Sequence, residues 1–264
     1  MYESEITTTY ETIQFTVVDR VGYIIFNKPP LNIFTIAMMK EINDALNTLT
    51  KMQKVSCVVF AANASSKAFS AGVSVQEHRA ETVYQMLDSF HNIFRTLYNY
   101  AKPVVAVVNG PALGGGCELV AFCDVVIASD KAKFGQPEIR LGVFPPIAAI
   151  ILPKLVGLKK ASELIYTGES IDALEAQSLG LVNFVVDEEQ LEARTQEVLG
   201  LFTGQSAVAL EATRRAILTA YYPDFEETLG KIEEQYLIQL MSLQDPKEGI
   251  EAFLEKREPI WRHK

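Results

Sequence analysis

The feature that most constrains this chain is a run of three glycines, Gly114-Gly115-Gly116, set between two apolar segments. Before it, Pro103-Val104-Val105-Ala106-Val107-Val108 is short and β-branched, the pattern of a buried strand. After it, Leu119-Val120-Ala121-Phe122 reads as the start of a buried helix. A glycine joint lets backbone approach another group without side-chain interference. The first turn of a helix adds free N–H donors and a partial positive charge. Glu118 places a carboxylate within a residue or two of those donors. The stretch suits either a site that stabilises an anion and moves a proton, or a turn that serves only close packing.

With 264 residues the chain can form one large domain or a domain with an appendage. Its net charge is −9 and it has no basic block, so nucleic acid is not an expected partner. Cys57, Cys117 and Cys123 form no C-x-x-C pair and read as small buried hydrophobes of a reducing compartment. The first residues, Met-Tyr-Glu-Ser-Glu, lack the charged and apolar regions of a signal peptide. The longest apolar run, 141–158, is interrupted by Pro145, Pro146, Pro153 and Lys154. No membrane span is expected, and the protein reads as cytoplasmic.

Residues 13–18 and 23–26 are expected as strands joined by a hairpin turn at 19–22. Apolar residues at 36, 39, 42, 46 and 49 predict an amphipathic helix. Further strands are expected at 56–61, 125–128 and 181–186, and helices at 79–100, 159–166 and 171–179. From Glu188 onward the pattern is helical, with Pro223 and Pro246 as breaks. Strand-strand-helix units thus recur before an all-helical tail, which predicts an α/β core with a C-terminal helical segment. A doubly wound sheet is the alternative.

A nucleophilic triad is poorly supported, because there is no G-x-S-x-G and the only histidines are His78, His91 and His263. His78 and His91 fall in or beside an expected exposed helix and read as solvated. No His, Cys and carboxylate spacing suits a metal. The dinucleotide fingerprint fails as well, since the third position from Gly110 is Ala112. Two carboxylates remain. Glu118 sits at a helix start, where the dipole favours the ionised form and a base role. Glu138 lies among Phe134, Ile139, Leu141 and Val143, where desolvation would keep a proton available for donation. Carboxyls whose pKa values are pushed apart divide acid and base work. Taken singly, each glutamate also fits a surface or capping role.

Ala-Leu-Gly-Gly-Gly-Cys-Glu-Leu (112–119), Phe-Gly-Gln-Pro-Glu (134–138) and Phe-Ser-Ala-Gly-Val-Ser-Val (69–75) resemble the signature segments of the crotonase (enoyl-CoA hydratase/isomerase) superfamily. So do Ala173-Leu174-Glu175-Ala176 through Gly180-Leu181-Val182, and Ala-Phe-Leu-Glu-Lys-Arg (252–257). The resemblance implies an α/β spiral of repeated ββα units over residues 1–200. A C-terminal helical trimerisation segment over 201–264 would follow, giving a homotrimer or a dimer of trimers. It implies an acyl-CoA thioester substrate, with coenzyme A as part of that substrate and no separate cofactor or metal. The backbone N–H groups of Val73 and Gly115 would form an oxyanion hole for the thioester oxygen. Such a donor is typically worth about 10²–10³ in rate. Glu118 would activate water for attack at the β-carbon, and Glu138 would protonate the α-carbon, which favours hydration or its reverse.

The resemblance also puts Ala71, Gly114, Pro145 and Pro146 at the substrate, with Phe253 and Lys256 reaching it from a neighbouring subunit's tail. The sequence departs from the family pattern at two places. Gly72-Val73-Ser74-Val75-Gln76 stands where Gly-Ala-Asp-Ile-Lys is usual, so a common CoA contact is replaced by Gln76. Pro145-Pro146-Ile147-Ala148-Ala149-Ile150 stands where a glycine-rich run is usual, which implies a stiffer, more apolar acyl pocket. Together these segments are similar to hydratases that add water to cyclohexa-1,5-diene-1-carbonyl-CoA. An isomerase or ring hydrolase on the same scaffold is the enzymatic alternative. A non-catalytic RNA-binding relative is the alternative of another class, and the acidic charge argues against it.

Overall fold

The computed structural model describes residues 6–264. Strand β1 (Ile6–Thr9) pairs antiparallel with β2 (Ile13–Val18), and β2 with β3 (Val21–Phe26). The hairpin turn is only Asp19 and Arg20, both at positive φ (48° and 69°). Two left-handed residues match the twist of the flanking strands. The second strand therefore begins at Val21, two residues earlier than the sequence suggests. Helix α1 (Ile36–Thr50) is capped by Thr35, whose side chain accepts from the Met38 N–H, and it buries Met39, Ile42, Leu46 and Leu49. Strand β4 (Cys57–Ala62) lies parallel to β3. A 3₁₀ turn (Val75–His78) precedes α2 (Val83–Asn99), which starts later than the expected residue 79.

The chain then passes twice through one pattern. Strands β5 (Val104–Val108) and β6 (Ala112–Leu113) lead into α3 (Gly115–Phe122). Strands β7 (Val125–Ser129) and β8 (Lys133–Gly135) lead through a 3₁₀ turn (Pro137–Leu141) into α4 (Pro146–Leu155). Helix α5 (Leu158–Thr167) follows. Where one helix was expected over 171–179, there is a strand, β9 (Ser170–Asp172), and then α6 (Ala173–Ser178). Asp172 is the reason, because its carboxylate accepts from the Glu175 N–H and fixes the helix start there. Strand β10 (Phe184–Val186) precedes α7 (Leu191–Thr203), α8 (Ala207–Tyr221), α9 (Phe225–Glu234) and α10 (Gln244–Leu254).

The large sheet has seven strands in the order β1-β2-β3-β4-β5-β7-β10, and a small sheet holds β6-β8-β9. Each pass places its first strand in the large sheet and its second in the small one. This is the spiral of ββα units. The order never reverses, whereas a doubly wound sheet turns back at a switch point. On one face of the large sheet, Phe26, Phe60, Phe90 and Phe94 form part of the main core with α1 and α2. On the other, Leu191, Val198 and Leu199 of α7 cover Val59, Val105 and Ile127. Pro223 falls between α8 and α9 as expected. Pro246 instead sits in the first turn of α10, where a missing N–H costs nothing. Phe225, Leu229 and Tyr236 of the tail join the main core. Cys57 and Cys117 are buried and all three cysteines are free. No described helix is long and apolar enough to cross a membrane.

Candidate active site

Two backbone donors come first. Phe69 is fully buried with its ring 5.1 Å from that of Phe26, which anchors the segment that follows. The Ser70 hydroxyl donates to Asn32 O and accepts from the Gly72 N–H. The N–H groups of Ala71 and Ser74 donate to Leu31 O and Phe34 O. The parallel bridge between Phe34 and Val73 uses the atoms flanking Val73, so the Val73 N–H points away from it. On the facing segment, the Gly114 N–H donates to Gly135 O, while Gly115 opens α3 and has no intrahelical acceptor for its own N–H. A Cβ on Gly115 would lie 2.8 Å from the Val73 side chain, so the two donor residues are in contact.

The glycines that hold this arrangement have separate reasons. Gly114 is at φ +51°, and a Cβ there would sit 2.6 Å from Glu138 Oε1. Gly116 packs on Ser70, whose carbonyl oxygen would be 2.6 Å from an added Cβ. Close approach, one of the two uses the sequence allowed, is therefore also what assembles the site.

Glu118 is 3% exposed. Its Oε1 accepts from the Ala148 N–H at 2.8 Å, and the Ile147 N–H also bonds to the carboxyl. The expectation that the dipole of its own helix keeps Glu118 ionised is corrected in two respects. The helix end facing the carboxyl is the first turn of α4, and burial outweighs it, raising the pKa to about 7. Glu138 lies on the 3₁₀ turn before α4. The residue as a whole is half-buried, yet its Oε2 is sealed from solvent and makes no hydrogen bond among the described residues. Burial first, and the neighbouring Glu118 charge second, push its pKa well above the carboxylate range. Neighbouring buried carboxyls do not ionise together easily, and Glu118, with two backbone donors against one on Glu138, loses its proton first.

A cavity of about 290 Å³ joins these groups. Ala71, Val73, Gly114 and Gly115 line it together with Glu118 and Glu138, and Pro145 and Pro146 close one side. Phe253 also reaches it, from this chain's own α10, where the resemblance implied a neighbouring subunit's tail. Lys256 does not line it. It follows α10 in a left-handed conformation (φ 56°), where the helix has ended. Gln76 is exposed.

Both histidines expected in solvent are buried instead, His78 at 8% and His91 at 0% exposure, and both border the cavity. His91 belongs to the inward stripe Leu87, Phe90, His91, Phe94 of α2, a three-and-four spacing visible in the sequence. Its Nδ1 lies 2.7 Å from Glu233, which also accepts from Arg95. His78 Nδ1 lies 2.8 Å from Ser74 O. Burial pushes both imidazole pKa values down, so both are neutral hydrogen-bonding groups. Tyr236 and Phe144 are lining residues that sequence reasoning missed, and neither carries a local motif. No group of His, Cys, Asp and Glu among the described residues is arranged to hold a metal ion.

A family model described as enoyl-CoA hydratase/isomerase matches residues 17–264. A probable enoyl-CoA hydratase of Rhizobium meliloti is 38% identical over 262 residues, covering 97% of this chain and 100% of that protein. The cyclohexa-1,5-dienecarbonyl-CoA hydratase of Thauera aromatica is 35% identical over 240 residues, covering 90% of this chain and 91% of that protein. Among solved structures, an enoyl-CoA hydratase from Mycobacterium avium subsp. paratuberculosis aligns with a TM-score of 0.86 at 27% identity, covering 96% and 99% of the two chains.

Proposed function

The chain belongs to the enoyl-CoA hydratase/isomerase family, and from that premise we propose that it adds water to an α,β-unsaturated acyl-CoA thioester with a compact cyclic dienoyl group, or runs the reverse dehydration. The thioester oxygen lies between the Val73 and Gly115 N–H groups, which stabilise the enolate charge as it develops. Glu118, ionised, takes a proton from water as its oxygen bonds to the β-carbon. Glu138, protonated, gives its proton to the α-carbon. Positioned proton transfers of this kind contribute about 10²–10⁴ each. No cofactor apart from the substrate's own coenzyme A enters this scheme.

The observation that carries the reading is one cavity holding two backbone donors and two buried carboxyls in unequal surroundings. Its small volume and the proline-started helix at its edge favour a compact, rigid acyl group. A panel of linear and cyclic enoyl-CoA thioesters, followed by absorbance, tests it. Cyclohexa-1,5-diene-1-carbonyl-CoA is expected to react fastest, with one solvent oxygen incorporated into the product. Faster turnover of a linear thioester overturns the acyl assignment, and turnover without solvent oxygen overturns hydration.

Residues 201–264 are proposed as the oligomerisation segment of a homotrimer or dimer of trimers. The exposed stripe Val208, Ala212, Ala216 and Ala220 on α8 supports this, because small side chains let a neighbouring helix approach closely. Sedimentation velocity tests it, and a monomer at assay concentration removes the proposal.

A further inference from the structure

Among the cavity's polar groups that have no role in the scheme above, Tyr236 is set apart by its backbone. Tyr236 lies in the π-helical turn Gln235–Leu240 that follows α9, closed by a bond from the Met241 N–H to Tyr236 O at 2.9 Å. Such i→i+5 turns are rare and recur at functional sites, because they turn a side chain away from the regular helical phase. Tyr236 is 2% exposed and lines the same cavity as Glu118 and Glu138. Its ring packs edge-on to Phe144, with centroids 5.3 Å apart, directly before the Pro145-Pro146 segment. Its hydroxyl has no hydrogen-bond partner among the described residues, and its oxygen is not among the polar atoms sealed from solvent, so it is open to the cavity. Buried phenols usually find a partner. This one faces a cavity whose other polar side chains, apart from the two glutamates, are His78, His91 and Arg140.

We propose that the Tyr236 hydroxyl is a positioning group for the oxygen that is added to or removed from the β-carbon, and so selects hydroxyacyl over deoxyacyl thioesters. The inference rests on the hydratase reading and goes beyond it, since a carboxyl pair alone handles protons without needing a third polar contact. Burial and the nearby charges of Glu138 and Glu118 hold the phenol proton in place, so the group remains a neutral donor and acceptor throughout the working pH range. It can donate to the oxygen while that oxygen bonds to a glutamate. The ring is held by Phe144, so the hydroxyl points from a fixed support.

The test uses the full-length enzyme and its Tyr236→Phe variant, which keeps the ring and removes only the hydroxyl. Inhibition constants are measured for 3-hydroxybutanoyl-CoA and butanoyl-CoA against the enoyl-CoA that the wild type hydrates fastest. The wild type is expected to prefer the hydroxylated ligand, and the variant to lose roughly three- to tenfold of that preference, the worth of one hydrogen bond. Binding of butanoyl-CoA and the melting temperature should not change, because the hydroxyl has no protein partner to lose. An unchanged preference in the variant overturns the role of Tyr236 while leaving hydration intact. Equal weakening of both ligands, with a lower melting temperature, makes Tyr236 a packing residue and also overturns it. Absence of hydration by the wild type on every thioester overturns the underlying reading itself.

Discussion

Glu118 Oε1 accepts the Ala148 N–H at 2.8 Å, so a side chain from α3 closes the first turn of α4. Pro146 begins α4 without an N–H of its own, and the next two donors, Ile147 and Ala148, both go to this carboxyl. The Pro145–Ile150 segment thus supplies the two N–H groups that oppose the effect of burial on the candidate base. Burial raises the Glu118 pKa, and the two donors hold the rise to about 7.

That value predicts a bell-shaped pH dependence. On the proposed mechanism activity needs Glu118 ionised and Glu138 protonated, so kcat/KM should rise with pH through about 7 and fall again on the alkaline side as Glu138 loses its proton. Initial rates across the pH range at substrate well below KM check this. A profile with no acid limb near 7 would remove Glu118 as the base.

The same burial weakens the fold at high pH. A carboxyl whose folded pKa exceeds its unfolded value stabilises fully below the unfolded value and loses that contribution as pH rises through the folded one. Each unit of such a shift is worth about 1.4 kcal/mol. Glu138→Gln cannot ionise, so its melting temperature should exceed the wild-type value at pH 8 and converge with it near pH 5. A variant less stable than wild type at both values contradicts the argument. Its kcat should nonetheless fall by about 10²–10⁴.

Gly114→Ala should do more damage than its size suggests. The position is at φ +51° and ψ −126°, outside the regions an L-residue favours, which costs about 1–3 kcal/mol, and the new Cβ meets Glu138 Oε1 at 2.6 Å. We expect a melting temperature lower by several degrees and a kcat reduced more than tenfold. Gly200→Ala in α7 is the control, since nothing lies within 4 Å of an added Cβ. It should be neutral or slightly stabilising, as alanine is the better helix former.

Phe253 belongs to this chain's own tail, and mixing experiments can read that directly. Phe253→Ala and Glu118→Gln variants, unfolded and refolded together, should show no more activity than the sum of the two alone. If a neighbouring subunit supplied Phe253, some mixed sites would regain both groups and activity would rise above that sum.

The order of strands and most helices was legible because each element carries a local pattern. The β-branched run 104–108 and the stripe from Ile36 to Leu49 each state their own phase. Glu118 and Glu138 stood out once other chemistries had been set aside. What escaped was whatever depends on distant segments. Nothing near Glu118 says that α4, some thirty residues on, will turn its first N–H groups toward it. Tyr236 has no motif, and a π-helical turn leaves no mark in a 3.6-residue periodicity. His91 is a different case. Its place on the inward stripe of α2 was readable, and the polar character of histidine obscured it.

The unreversed strand order gives the molecule a history as well as a shape. From β2 to β10, strands of the large sheet meet their neighbours in the sequence in which they leave the ribosome. Both glutamates leave the ribosome long before Tyr236 and Phe253, and of these late lining residues Tyr236 is the buried one. A nascent chain halted before α9 would carry Glu118 and Glu138 as wetter acids, closer to ordinary carboxyls. The last helices to leave the ribosome thus carry lining residues of a site whose acids were made much earlier.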